Sequence, residues 1–66
     1  MKMKGKHISG QSVLLYLEEG RYVYQAEYGS GAAKDLEVAK NLAMLESFPP
    51  SDRQGALLDW TWKVFE

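Results

Sequence analysis

A chain of 66 residues without cysteine has no disulfides to lean on and lies near the lower limit at which a hydrophobic core alone holds a fold. Its apolar content of 45% and its eight aromatic residues argue against disorder, and a net charge of −1 excludes a uniformly basic nucleic-acid binder. The charge is uneven, however: Lys2, Lys4 and Lys6 fall in the first seven residues and leave five basic against nine acidic residues in the remainder, a body that repels nucleic acid unless its basic side chains cluster.

The pattern predicts a single small domain, residues 1–66, of the α+β class. A small antiparallel β-hairpin or three-stranded sheet is packed by one amphipathic helix and completed by a C-terminal helix or, as the alternative, a C-terminal strand. Residues 1–8 alternate Met1, Met3, Gly5 and His7 with Lys2, Lys4, Lys6 and Ile8, the pattern of an edge strand or, given the terminal position, a mobile basic arm. Ser9-Gly10-Gln11 is turn material, and two strands rich in Val, Leu and Tyr follow over 12–18 and 21–28. Pairing across a Glu19-Gly20 turn sets Leu17 opposite Tyr22, Leu15 opposite Tyr24 and Val13 opposite Ala26 on one face. The other face then carries Leu14, Tyr16 and Val23, with Glu18 opposite Arg21 near the turn.

Gly29-Ser30-Gly31 breaks the strand pattern and leads into a helix expected over 32–47. Leu36, Val38, Ala39, Leu42, Ala43 and Leu45 fall within one semicircle, and Ala32, Ala39 and Ala43 form a strip small enough to approach the tyrosine-bearing hairpin face closely. Phe48-Pro49-Pro50 stops that helix, because a residue before proline is pushed out of α geometry. For the last segment the helical reading takes Ser51 and Gln54 as a capping box and Asp52, Asp59, Lys63 and Glu66 as a polar stripe. The strand reading has Leu58, Trp60, Trp62 and Val64 alternating with Asp59, Thr61, Lys63 and Phe65. The cap and the stripe favour the helix; the residue types of Trp60-Thr61-Trp62 favour the strand.

No run approaches the roughly 18 apolar residues of a membrane span, and the first residues lack the features of a secretory signal, so the expected location is the cytoplasm, with no membrane partner. Catalytic groups are sparse. His7 is the single histidine and falls in the expected arm, Glu18 and Glu19 sit at a hairpin tip, and Asp52 and Asp59 fit a solvated stripe. No spacing suits zinc or calcium, so neither a metal nor a cofactor is expected. Gly29-Ser30-Gly31-Ala32-Ala33-Lys34 precedes a helix start, where backbone N–H groups can hold phosphate, but it lacks the Walker arrangement and reads as a flexible connection.

Over about a third of the chain, Gly29, Gly31, Lys34, Ala39, Lys40 and Ala43 resemble the last half of double-stranded-RNA-binding domains: a hairpin, a Gly-x-Gly turn, a lysine at the helix start and an alanine-rich helix. Asp35 stands where that pattern has a second lysine, and only eleven residues precede the hairpin, too few for the family's first helix. The outline of hairpin plus helix also resembles the arm-binding domains of phage integrases, without their sequence hallmarks. No family is assigned.

Tyr22, Tyr24 and Tyr28 share a strand face and read as core beneath the helix, and Trp60 and Trp62 as structural anchors, one of them a candidate interface residue. The apolar set Leu14, Tyr16 and Val23, with Trp62, is the expected partner-binding site, unless the C-terminal segment folds over it and sets a tryptophan against Tyr16. The function expected is non-catalytic protein binding, by self-association as a homodimer or as a small accessory or inhibitor protein of phage or mobile-element type. The alternative is nucleic-acid binding through Lys2, Lys4, Lys6, Arg21 and Lys34.

Overall fold

The computed structural model describes residues 1–65. It has five strands, β1 (Lys2–His7), β2 (Ser12–Glu18), β3 (Arg21–Ala26), β4 (Gly29–Ala33) and β5 (Trp60–Phe65), with one helix, α1 (Leu36–Leu45), between β4 and β5. All strands join one antiparallel sheet in the order β4-β3-β2-β1-β5, and the α+β class holds.

The central hairpin has the expected register, with Leu15 opposite Tyr24, Leu17 opposite Tyr22, Tyr16 opposite Val23 and Glu18 opposite Arg21. Glu19 (φ 52°) and Gly20 (φ 80°) both take left-handed backbone, as a two-residue I′ turn requires, and its twist matches that of the strands it joins. Leu15 is completely buried and Val13 and Tyr24 nearly so, and these three form the centre of the core with Met3, Ala39 and Ala43.

Residues 1–8 are neither a mobile arm nor an edge. β1 lies inside the sheet, paired with β2 from Lys2 opposite Tyr16 to Lys6 opposite Ser12, and with β5 from Lys2 opposite Phe65 to His7 opposite Trp60. Strand alternation sends Met3 and Gly5 into the core and Lys2, Lys4 and Lys6 out to solvent.

The glycine-rich stretch is a strand as well. β4 pairs with β3 from Tyr22 opposite Ala33 to Ala26 opposite Gly29, so α1 begins at Leu36 and not at residue 32. A Cβ at Gly31 would lie 2.8 Å from the Tyr24 hydroxyl, and one at Gly29 would collide with the Glu46 carboxylate. The two glycines therefore clear a path for the Tyr24 Oη, which donates to Glu46 Oε2 at 2.8 Å. Burial, then this hydrogen bond and the carboxylate's charge, push the Tyr24 hydroxyl up to about 12.

Asp35 caps α1, its Oδ1 accepting from the Val38 N–H at 3.1 Å. Ala39 and Ala43 are fully buried as expected, and Leu36 and Leu42 pack against the core beside them. Val38, expected inside, is 47% exposed, because it lies roughly 100° and 140° round the helix from Ala39 and Ala43, the two positions fully buried against the sheet. The small-residue strip loses Ala32, which belongs to β4 and faces solvent.

The preferred C-terminal helix is corrected to the alternative: residues 60–65 form β5, an edge strand. A helix would point Trp60 and Trp62 roughly 200° apart, whereas a strand sends both to one face. There the Trp62 ring lies flat on Gly5, where a Cβ would meet it at 2.8 Å, and packs against Trp60 with ring centroids 6.1 Å apart. Ser51, Asp52 and Gln54 belong to a turn-rich connection, with Gly55 (φ 75°) and Asp59 (φ 67°) in left-handed backbone; Glu66 of the expected stripe lies outside the described residues.

Helix α1 covers β2, β3 and β4. Over β1 and β5 the cover is an aromatic cluster in which His7 meets Phe48 (5.1 Å) and Trp60 (5.3 Å) edge-on. The connection is tied in by Trp60 Nε1 donating to the Ala56 carbonyl (2.6 Å), Arg53 Nε to the Phe48 carbonyl (3.1 Å) and the buried Ser47 Oγ to the Met44 carbonyl (2.7 Å).

Candidate binding face of the sheet

Helix, connection and both tryptophans all lie on one side of the sheet, and among the described residues no element covers the other. Register fixes what that open face presents. One row across the five strands reads Ala32, Val23, Tyr16, Lys2, Phe65; the next reads Ser30, Gln25, Leu14, Lys4, Lys63. Ser12, Lys6 and Thr61 continue it at one end, and Glu18 beside Arg21 at the other.

The two sets of residues singled out in the sequence as rival sites thus occupy one surface. Leu14, Tyr16 and Val23 are half-buried along its centre; Lys2, Lys4, Lys6, Lys63 and Arg21 are exposed around them. Five of the eight basic residues stand here against, among the described residues, a single strand carboxylate, Glu18, with Glu27 bordering the face from the β3–β4 turn. Residues 34–59, which make the helix and its connection on the far side, carry three basic and five acidic side chains. A chain close to neutral is therefore polarised, cationic on the open face and acidic behind it.

Two candidates do not belong. Trp62 lies on the opposite face against Gly5, with the Lys40 ammonium 4.9 Å from its ring centroid, so it is a core anchor held by cation–π contact and no tryptophan covers Tyr16. Lys34 follows β4 and is not part of the strand rows. Conversely, Lys63 and Phe65 complete the face and were not among the expected site residues. Their signal was the alternation Thr61, Lys63, Phe65 opposite the tryptophans, which has meaning only once β5 is a strand.

The face holds two shallow concavities. One of about 480 Å³ is lined by Lys4, Lys6, His7, Ile8, Thr61, Lys63 and Phe65; the other, about 450 Å³, includes Lys4, Ser12, Leu14, Gln25, Glu27 and Phe65. Lys4 and Phe65 line both. Phe65 is 45% exposed, a ring offered to solvent at the sheet edge among ammonium groups.

Among the described residues no acid–base constellation accompanies them. His7 Nδ1 accepts from the Ser9 N–H at 3.1 Å, and the ring is wedged between Phe48 and Trp60. Among the described residues no group of three or more His, Asp or Glu side chains converges to hold a metal ion, and no helix is long and apolar enough to cross a membrane. Comparison with protein-family models, with curated proteins and with solved structures gives no match.

Proposed function

We propose that this protein is a non-catalytic nucleic-acid-binding module of the cytoplasm whose binding surface is the open face of its sheet. The observation that carries the reading is the segregation of charge: Lys2, Lys4, Lys6, Lys63 and Arg21 on one exposed face against Glu18 alone among the described strand residues. A net charge of −1 opposes nucleic-acid binding only when basic groups are dispersed, and here they are gathered on one side. Phosphates met by these ammonium groups release counterions, so affinity falls steeply with salt.

A mobility-shift titration with mixed-sequence DNA and RNA tests the reading. Binding is expected at 50 mM salt, is strongly reduced by the Lys4→Glu/Lys63→Glu double variant, and is largely retained by Lys34→Glu, whose charge lies off the face. Absence of any shift at 50 mM salt counts against it.

A second reading is favoured by the uncovered strip Leu14, Tyr16 and Val23: the face takes an acidic protein surface, as an accessory or inhibitor protein would. A charged residue at Val23 would then abolish capture of that partner while leaving the fold intact. Homodimerisation face to face is disfavoured, because twofold symmetry sets this basic surface against its own copy.

A further inference from the structure

We propose that the nucleic acid taken by this face is single-stranded, its sugar-phosphate chain following the β1 lysines and its bases stacking on Phe65 and Tyr16. The proposal rests on the nucleic-acid reading above and names its ligand class.

Shape argues first. β1 is an interior strand with three strands on one side and, on the other, β5 as a single flanking edge. Five strands spaced about 4.8 Å apart make a surface roughly 19 Å across, whereas the major groove of duplex DNA is about 12 Å wide and admits a helix or a two-stranded ribbon. Lysines placed inside so broad a sheet cannot be pushed into a groove. A single strand can be laid across them.

The aromatics argue second. Tyr16 and Phe65 stand in one row on either side of Lys2, about 10 Å apart across two strand spacings. In a duplex the base faces are already stacked on one another and only edges are offered, so exposed rings find no partner; unpaired bases offer their faces. The two concavities lie to either side of the Phe65–Lys4 pair and are each within the size range of small-ligand sites, room for successive bases separated by that ring.

Spacing argues third. Lys2, Lys4 and Lys6 alternate along β1 and so recur about every 6.7 Å on one line, a row of ammonium groups that one phosphate backbone can touch in succession.

Fluorescence anisotropy with a labelled 15-nucleotide oligothymidine, a labelled 15-nucleotide oligouridine and a labelled 15-base-pair duplex tests this, with polyglutamate as competitor. Single strands are expected to bind at least tenfold more tightly than duplex. With four lysines engaged, their affinity should drop roughly 50-fold between 50 and 200 mM salt. Phe65→Leu, which keeps an apolar side chain at the edge but removes the ring, should weaken single-strand binding about tenfold, and Phe65→Trp should restore it. Thermal unfolding of each variant verifies that the fold is intact. Duplex binding as tight as single-strand binding, or wild-type affinity in Phe65→Leu, overturns the single-strand proposal while leaving the nucleic-acid reading in place. No binding of any oligonucleotide at 50 mM salt, or displacement by polyglutamate as readily as by unlabelled oligothymidine, overturns both.

Discussion

The two faces of β1 are built from the same six residues, yet one is Met3 and Gly5 sealed under the core and the other is Lys2, Lys4 and Lys6 in water. The inner face is specified by shape. Gly5 is small because Trp62 lies on it, and Gly31 is small because the Tyr24 hydroxyl crosses it. On the outer face the lysines are exposed around a half-buried apolar strip, and what is specified is charge and ring area. The difference teaches that substitutions one position apart along the same strand should act on different properties, stability on one side and binding on the other.

The sharpest separation is expected at neighbouring leucines of β2. Leu15→Ala removes a fully buried side chain and should cost about 2–5 kcal/mol in urea denaturation, enough to unfold much of so small a domain. Leu14→Ala, on the half-buried outer face, should cost less than about 1 kcal/mol. Equal losses at the two positions would break the comparison.

Tyr24→Phe comes next. It deletes a hydrogen bond to a carboxylate, worth about 1.5–3 kcal/mol, and leaves Glu46 without that donor. The same variant carries a pH signature. Between pH 10, where an ordinary tyrosine loses its proton, and about 12, where folded Tyr24 does, the native state holds a proton that the unfolded chain has released. The stabilisation from this group is therefore complete below pH 10 and is lost as pH rises through about 12. Stability measured across that interval should fall less steeply in Tyr24→Phe than in the wild type.

The smallest effect is expected on the outer face. Lys6→Gln should change stability by no more than about 0.5 kcal/mol, since its side chain is exposed at the surface, while still lowering affinity for oligonucleotide. A loss of stability comparable to that of Tyr24→Phe would mean that the two faces are energetically alike.

Much of this architecture could be read locally. The hairpin register followed from period-two alternation around Glu19-Gly20, and the helix core from Ala39 and Ala43, because turn chemistry and helical periodicity are properties of neighbouring residues. The open strip Leu14, Tyr16 and Val23 was legible for the same reason. Three strands were harder. Lys2–His7 reads as an arm until its partner, more than fifty residues away, is known to be a strand. Gly29 and Gly31 read as a break, since the groups that demand their missing side chains belong to Tyr24 and Glu46. Trp62 reads alongside Tyr16 because nothing local says that its ring needs a glycine opposite. Lys63 and Phe65 joined the site only through that same long-range pairing.

The position of β5 also bears on the order in which the chain assembles. β1 to β4 and α1 are joined by short connections and can form a four-stranded meander under a helix, while β5 must return across a connection of fourteen residues to the strand that began the fold. Until it docks, β1 has one bare row of backbone donors and acceptors and an empty notch over Gly5. Closing that long loop is the entropically slowest step, so β5 should be the last element added and the first to detach. At high concentration the same vacancy is open to the β5 of a neighbouring chain, an exchange of identical strands in which every local contact is preserved and only the connectivity differs.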